Sequence, residues 1–107
     1  MIDEKELEKL KEEVVKALKT IYDPELPVNI WELGLIYDIQ ITAMAEVVIL
    51  MTLTAPNCPE AEQIPVEVEQ KVKEIKGITN AKVIITFEPP WDRSMLSEVA
   101  KFQLGLF

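Results

Sequence analysis

Leu7, Leu10, Val14, Ala17, Leu18 and Ile21 recur at spacings of three and four residues, which predicts an amphipathic helix over about residues 4–20. Asp3 followed by Glu6 is an acidic form of the capping box that starts such helices. The opposite face carries Glu4, Glu8, Lys9, Lys11, Glu12, Lys16 and Lys19 and reads as a solvated surface. Asp23-Pro24-Glu25-Leu26-Pro27 then ends regular structure, because each proline fixes its own φ and disfavours the helical region for the residue before it. After Gly34 the pattern changes to alternation, with Leu35, Tyr37, Ile39 and Ile41 expected on one face of a half-buried strand. Glu46 to Thr54 is richer in strand formers: Val47, Ile49, Met51 and Leu53 fall on one side, Val48, Leu50, Thr52 and Thr54 on the other. These two runs predict a hairpin, whose Ala43-Met44-Ala45 connection contains no Gly, Asn or Asp to identify its turn type.

Ile64, Val68, Val72 and Ile75 form a second helical stripe closed by Gly77. Pro65 interrupts it, so the helix either starts near Pro59 and kinks or starts afresh at Pro65; Glu60 and Glu62 favour the earlier start. Ala81, Val83, Ile85 and Phe87 give a third strand ended by Pro89-Pro90, and Leu96, Val99 and Ala100 a last short helix. The order α-β-β-α-β-α, without repeats, predicts a single α+β domain over residues 1–107. It would be a two-layer fold with a small three-stranded mixed sheet and helices on one face. A crossover through the second helix makes strand three parallel to strand two and should be right-handed, while the central strand stays open. Ile36, Val48, Leu50 and Ile84 are expected on the second sheet face, apolar enough to serve self-association.

Composition removes whole classes of function. The chain has no His, which excludes Ser-His-Asp and Cys-His catalytic pairs and His-ligated zinc from its own residues. Its one cysteine, Cys58, makes no intrachain disulfide, and the start lacks a secretory pattern, so a reducing cytoplasmic setting is expected. The longest apolar run, Val47 to Met51, is too short for a membrane span. A formal charge of −8, from 11 Lys and Arg against 19 Asp and Glu, disfavours nucleic acid and favours proteins or cations as partners.

Candidate chemistry concentrates in Thr52-Leu53-Thr54-Ala55-Pro56-Asn57-Cys58-Pro59. With Pro59 at the first helical position, Cys58 falls where unpaired N–H groups and the helix dipole favour a thiolate, the form that ligates soft metals. Glu60 and Glu62 oppose this by raising the thiol pKa, and a small buried hydrophobe is the alternative reading. Asp23 and Glu25 are a second candidate: Asp23 serves simply as a turn residue before Pro24, or the pair holds a cation or does acid-base work. Phe87-Glu88-Pro89-Pro90-Trp91-Asp92 is a third, with Trp91 expected to cover the core edge rather than bind. Gly34, Gly77 and Gly105 are too scattered for a phosphate loop.

Asp23-Pro24-Glu25, Asn29-Ile30, Leu33-Gly34-Leu35-Ile36-Tyr37, Thr52-x-Thr54-x-Pro56-x-Cys58-Pro59 and Pro89-Pro90-Trp91 occur in this order. Together they resemble the iron-sulfur cluster assembly domain family of SufT-type maturation factors, the PaaD subunit of phenylacetate degradation and the eukaryotic cytosolic cluster-targeting factor. The resemblance covers roughly residues 5 to 104 and implies a small, often dimeric, non-enzymatic domain that helps mature iron-sulfur proteins. It places the family's cysteine at Cys58 and its acidic loop at Asp23 and Glu25, with Asn29 and Thr54 lining the same neighbourhood. A C-x-x-C pair is absent, and one thiolate cannot hold a cluster that usually takes four. The expected cargo is therefore a transient iron or cluster with shared ligands, passed to client apoproteins alongside assembly proteins. A metal-free adaptor is the alternative, and a thiol-dependent redox enzyme or oxygenase-complex accessory subunit is the third reading.

Overall fold

The computed structural model describes residues 3–23, 27–54 and 63–105. Helix α1 spans Glu4–Leu18, strands β1 and β2 span Ile36–Ile41 and Glu46–Met51, and helix α2 spans Gln63–Lys73. Strand β3 spans Asn80–Ile85, and a 3₁₀ turn at Arg93–Met95 leads into α3 at Glu98–Gln103. The expected α+β order is observed, with the 3₁₀ turn in addition. Asp3 caps α1, its side chain accepting the Glu6 N–H at 2.8 Å, so the acidic capping pair works from the N-cap side.

The sheet order is β1-β2-β3, which makes β2 central. β1 runs antiparallel to β2 and β3 runs parallel to it. Val47, Ile49 and Met51 of β2 are fully or almost fully buried and share one core with Val14 and Leu18 of α1, Val68 and Val72 of α2, and Ala100 of α3. Each of these large aliphatic side chains contributes about 1.5–3 kcal/mol on burial, so the two long helices are held by their apolar stripes. Pro65 is the third residue of α2 as described. A start at Pro59 lies outside the described residues.

Two expectations need correction. The pairing of β1 with β2 is irregular between Ile36 and Asp38, where a bulge inserts one residue. Ile36 consequently pairs with Met51 and packs on the core beside Ile39 and Ile41, rather than lying on the second face. Tyr37 is displaced from the expected row and donates its hydroxyl to Pro89 O at 2.7 Å. The second face is left with Val48, Leu50 and Ile84, whose cross-strand neighbours include Asp38, Gln40 and Lys82. The third strand also stops at Ile85, two residues before Phe87, which is exposed.

The hairpin turn closes with Thr42 N–H donating to Glu46 O at 2.9 Å and Ala45 N–H to Thr42 O at 2.9 Å. Ala45 takes the left-handed conformation, φ 60°, that glycine usually fills in such loops. The Thr79 hydroxyl and N–H donate to the carbonyls of Met44 and Ala45, at 2.8 and 2.9 Å, and tie the turn to the start of β3.

Candidate functional site

Strand directions gather the loaded segments at one end of the sheet. Ile36, at the start of β1, pairs with Met51 at the end of β2, and Met51 pairs with Ile85 at the end of β3. Residues 21–35, the chain after Met51 and the chain after Ile85 therefore meet at this end. Backbone hydrogen bonds continue the contact past the strands. Ile30 N–H donates to Ile21 O at 2.8 Å, Leu35 N–H to Ile30 O at 3.2 Å, and Thr52 N–H to Leu35 O at 2.9 Å. This ladder connects the flank of the acidic loop to the strand end that carries Thr54 and leads on toward Cys58.

Asp23 is buried, only 6% exposed, and its N–H donates to Val28 O at 3.4 Å. Tyr22 and Asn29 form an isolated antiparallel bridge, so the acidic loop is pinched at its base. Asn29 is half-buried and its Oδ1 accepts the Glu32 N–H at 2.9 Å, which caps the tight turn over residues 30–34. Thr54 is half-buried, beyond the buried Thr52 and Leu53. The structure thus brings Asp23 and Asn29 together in one loop and sets it, through Leu35, beside the segment that ends in Thr54. Glu25 and Cys58 lie outside the described residues. Among the described residues, no three His, Cys, Asp or Glu side chains converge as a metal site.

Sequence reading missed how residues 29–37 are held from behind. Trp91 donates its indole N–H to Leu33 O at 2.6 Å and packs on the core, as expected of a residue covering its edge. Gly34, at φ +77°, lies so close to Met95 that a Cβ there would fall 2.3 Å from the Met95 carbonyl oxygen. Ser97 donates its N–H to Glu32 O at 2.9 Å and its hydroxyl to a Glu32 carboxylate oxygen. The Leu-Gly-Leu-Ile-Tyr and Pro-Pro-Trp motifs are two halves of one latch. Their sequence offered the signal, but the pairing spans more than fifty residues, 52 between Tyr37 and Pro89 and 58 between Leu33 and Trp91. At the edge of the latch, the Ser94 hydroxyl and then the Ser94 N–H, at 2.7 Å, hold the Asp92 carboxyl below its ordinary pKa.

The same two-layer arrangement occurs in a crystal structure of a domain of unknown function from Bacillus anthracis. That chain is 33% identical with a TM-score of 0.86, the match covering 94% of this chain and 95% of the other. The chain belongs to the iron-sulfur cluster assembly protein family, whose model matches residues 11–84. A Porphyromonas gingivalis protein called an Fe-S protein maturation auxiliary factor is 49% identical over 94 residues, 88% of this chain and 90% of the relative. The Bacillus subtilis Fe-S protein maturation auxiliary factor YitW is 39% identical over 99 residues, 92% of this chain and 97% of the relative.

Proposed function

We propose that the chain is a one-domain iron-sulfur maturation factor of the cytoplasm, a helper rather than an enzyme. It takes iron or a cluster as transient cargo and passes it to client apoproteins together with assembly proteins. Two relatives that align along nearly their whole length with this chain carry the name of maturation auxiliary factors, which supports this reading. The observation that supports it is the ladder from Ile21 through Ile30 and Leu35 to Thr52, which joins the backbone near the buried Asp23 to the segment ending in Thr54, with the one cysteine of the sequence four residues further on.

In this reading Cys58 supplies a soft thiolate and Asp23 and Glu25 supply hard oxygens for iron, or hold the cysteine segment in place. Asn29 shapes the acidic loop through its bond to Glu32, and Thr54 lines the approach. One thiolate leaves a cluster short of ligands, which suits transfer, since the client completes the set. The alternative is an adaptor, a domain that links clients to the assembly machinery and touches no metal.

Anaerobic reconstitution with ferrous iron and sulfide, followed by visible absorption and protein mass, separates the two. Cluster or iron retained by the native chain and lost in Cys58→Ser supports cargo handling. Insertion into a client apoprotein at the full rate by Cys58→Ser overturns the thiolate's role and leaves the adaptor.

A further inference from the structure

The methionines of the chain meet solvent in different settings. Met51 is fully buried in β2, and Met44 is 67% exposed at the hairpin turn. Met95 lies between these extremes, half-buried in the 3₁₀ turn and packed so closely on Gly34 that no Cβ would fit there. Its sulfur has a partner on another element. The Tyr37 hydroxyl, which donates to Pro89 O at 2.7 Å, has Met95 Sδ as a second acceptor at 3.6 Å. Among the described residues no other thioether is bonded in this way, and a half-buried sulfur is open to small oxidants where Met51 is not.

A phenol hydroxyl has one proton to give. In the latch that proton goes to the Pro89 carbonyl, a strong acceptor, and the thioether, a weak one, leaves it there. Oxidation reverses the ranking. A sulfur lone pair attacks one oxygen of hydrogen peroxide, the S–O bond forms as the O–O bond breaks, and the hydroxide released takes the remaining peroxide proton and leaves as water. The sulfur is oxidised by two electrons, and a flexible apolar side chain becomes a polar sulfoxide. Its new oxygen is a strong acceptor, carried on an atom already within 3.6 Å of the Tyr37 hydroxyl. Sulfoxide and Pro89 O then compete for one proton, and whenever the sulfoxide holds it the tie between β1 and the Pro-Pro-Trp segment is open.

We propose that Met95 is an oxidation site that loosens the latch: peroxide converts its thioether to the sulfoxide, which draws the Tyr37 proton from Pro89 O and weakens the hold of the 89–97 segment on residues 29–37. The bonds of Trp91 to Leu33 O and of Ser97 to Glu32 O remain, so the fold persists while the turn behind the acidic loop opens more often. That turn is closed by Leu33 N–H donating to Asn29 O at 3.1 Å and Leu35 N–H to Ile30 O at 3.2 Å. The change is reversible, because methionine sulfoxide is reduced enzymatically. Its effect on cargo rests on the proposed function, whereas the oxidation and the loosening do not.

The test is hydrogen peroxide treatment of the full chain carrying Cys58→Ser, so that no thiol consumes the oxidant, followed by peptide mass mapping and amide hydrogen exchange. Met95 should gain an oxygen and Met51 should not, and the Leu33 and Leu35 amides should exchange about two- to tenfold faster, the factor expected for one neutral hydrogen bond. Val68 and Val72, in the core of α2, should keep their rates, and methionine sulfoxide reductase should restore the rest. Met95→Leu should make exchange indifferent to peroxide, whereas Met44→Leu should respond as the parent does. Tyr37→Phe has no proton to lose, so it should exchange faster before treatment and gain nothing from it. A Met95 that stays reduced while Met44 is fully oxidised overturns the proposal. So does an oxidised Met95 with unchanged exchange at Leu33 and Leu35, or a Tyr37→Phe chain that loosens on oxidation as much as the parent.

Discussion

Replacing Gly34 with alanine tests the latch at its tightest point. The added Cβ would lie 2.3 Å from the Met95 carbonyl oxygen and 3.0 Å from both its carbonyl carbon and its Cβ, so backbone and not a flexible side-chain tip must yield. Holding an alanine at φ +77° costs about 1–2 kcal/mol on conformational grounds. Forcing the 93–97 segment outward adds about 1–3 kcal/mol, the usual range for overpacking, while the lower entropy of the unfolded alanine chain returns about 0.4–1 kcal/mol. The net loss is about 1–4.6 kcal/mol, and in a domain of this size each kcal/mol lowers Tm by about 4–8 °C. Gly77 is the control: it also has positive φ, +100°, but its added Cβ would meet only the Leu10 Cδ2 atom at 3.2 Å, a side chain that can move. Urea unfolding of both variants, with the slope checked for constancy, gives the comparison. Gly34→Ala should be the more damaging by at least about 1 kcal/mol. If it unfolds within about 0.5 kcal/mol of the native chain, the close approach to Met95 is not real and the latch described for residues 29–37 is wrong.

Trp91→Phe keeps the aromatic mass but removes the donor to Leu33 O, and should cost about 1–2 kcal/mol in chemical denaturation. Asn29→Ala should lose about 1 kcal/mol of stability through its cap, and Asn29→Asp, which keeps the acceptor, should recover most of it in the same assay. Because Ser94 lowers the pKa of Asp92, the carboxylate stabilises the fold at pH above its ordinary value, and that contribution disappears as pH falls through the lowered one. Thermal unfolding of native chain and Asp92→Asn should therefore differ at neutral pH and converge in acid.

The helices and strands were legible because their burial is periodic: Val14 and Leu18, and Val68 and Val72, fall where the helical stripes place them. What the sequence concealed has identifiable causes. The face of Ile36 was misread because a bulge at Tyr37 leaves no mark in an alternating apolar run. The hairpin turn was unreadable because Ala45 occupies the left-handed position without a glycine to announce it. In the candidate site, the described members of the motifs divide their structural work in a way spacing does not express. Asn29, Gly34, Tyr37 and Trp91 hold backbone in place through contacts made only in three dimensions.

The latch also sets an order of events during synthesis. Chains leave the ribosome N-terminus first, and residues 29–37 emerge long before Pro89, Trp91, Met95 and Ser97, which close over them. The helices and the hairpin rely on near neighbours and can form as they appear, but the acidic loop gains its backing only once the last strand and the turn after it are free. A nascent chain therefore exposes residues 29–37 well before the segment that fixes them, and this end of the sheet is complete only once the final segment has emerged.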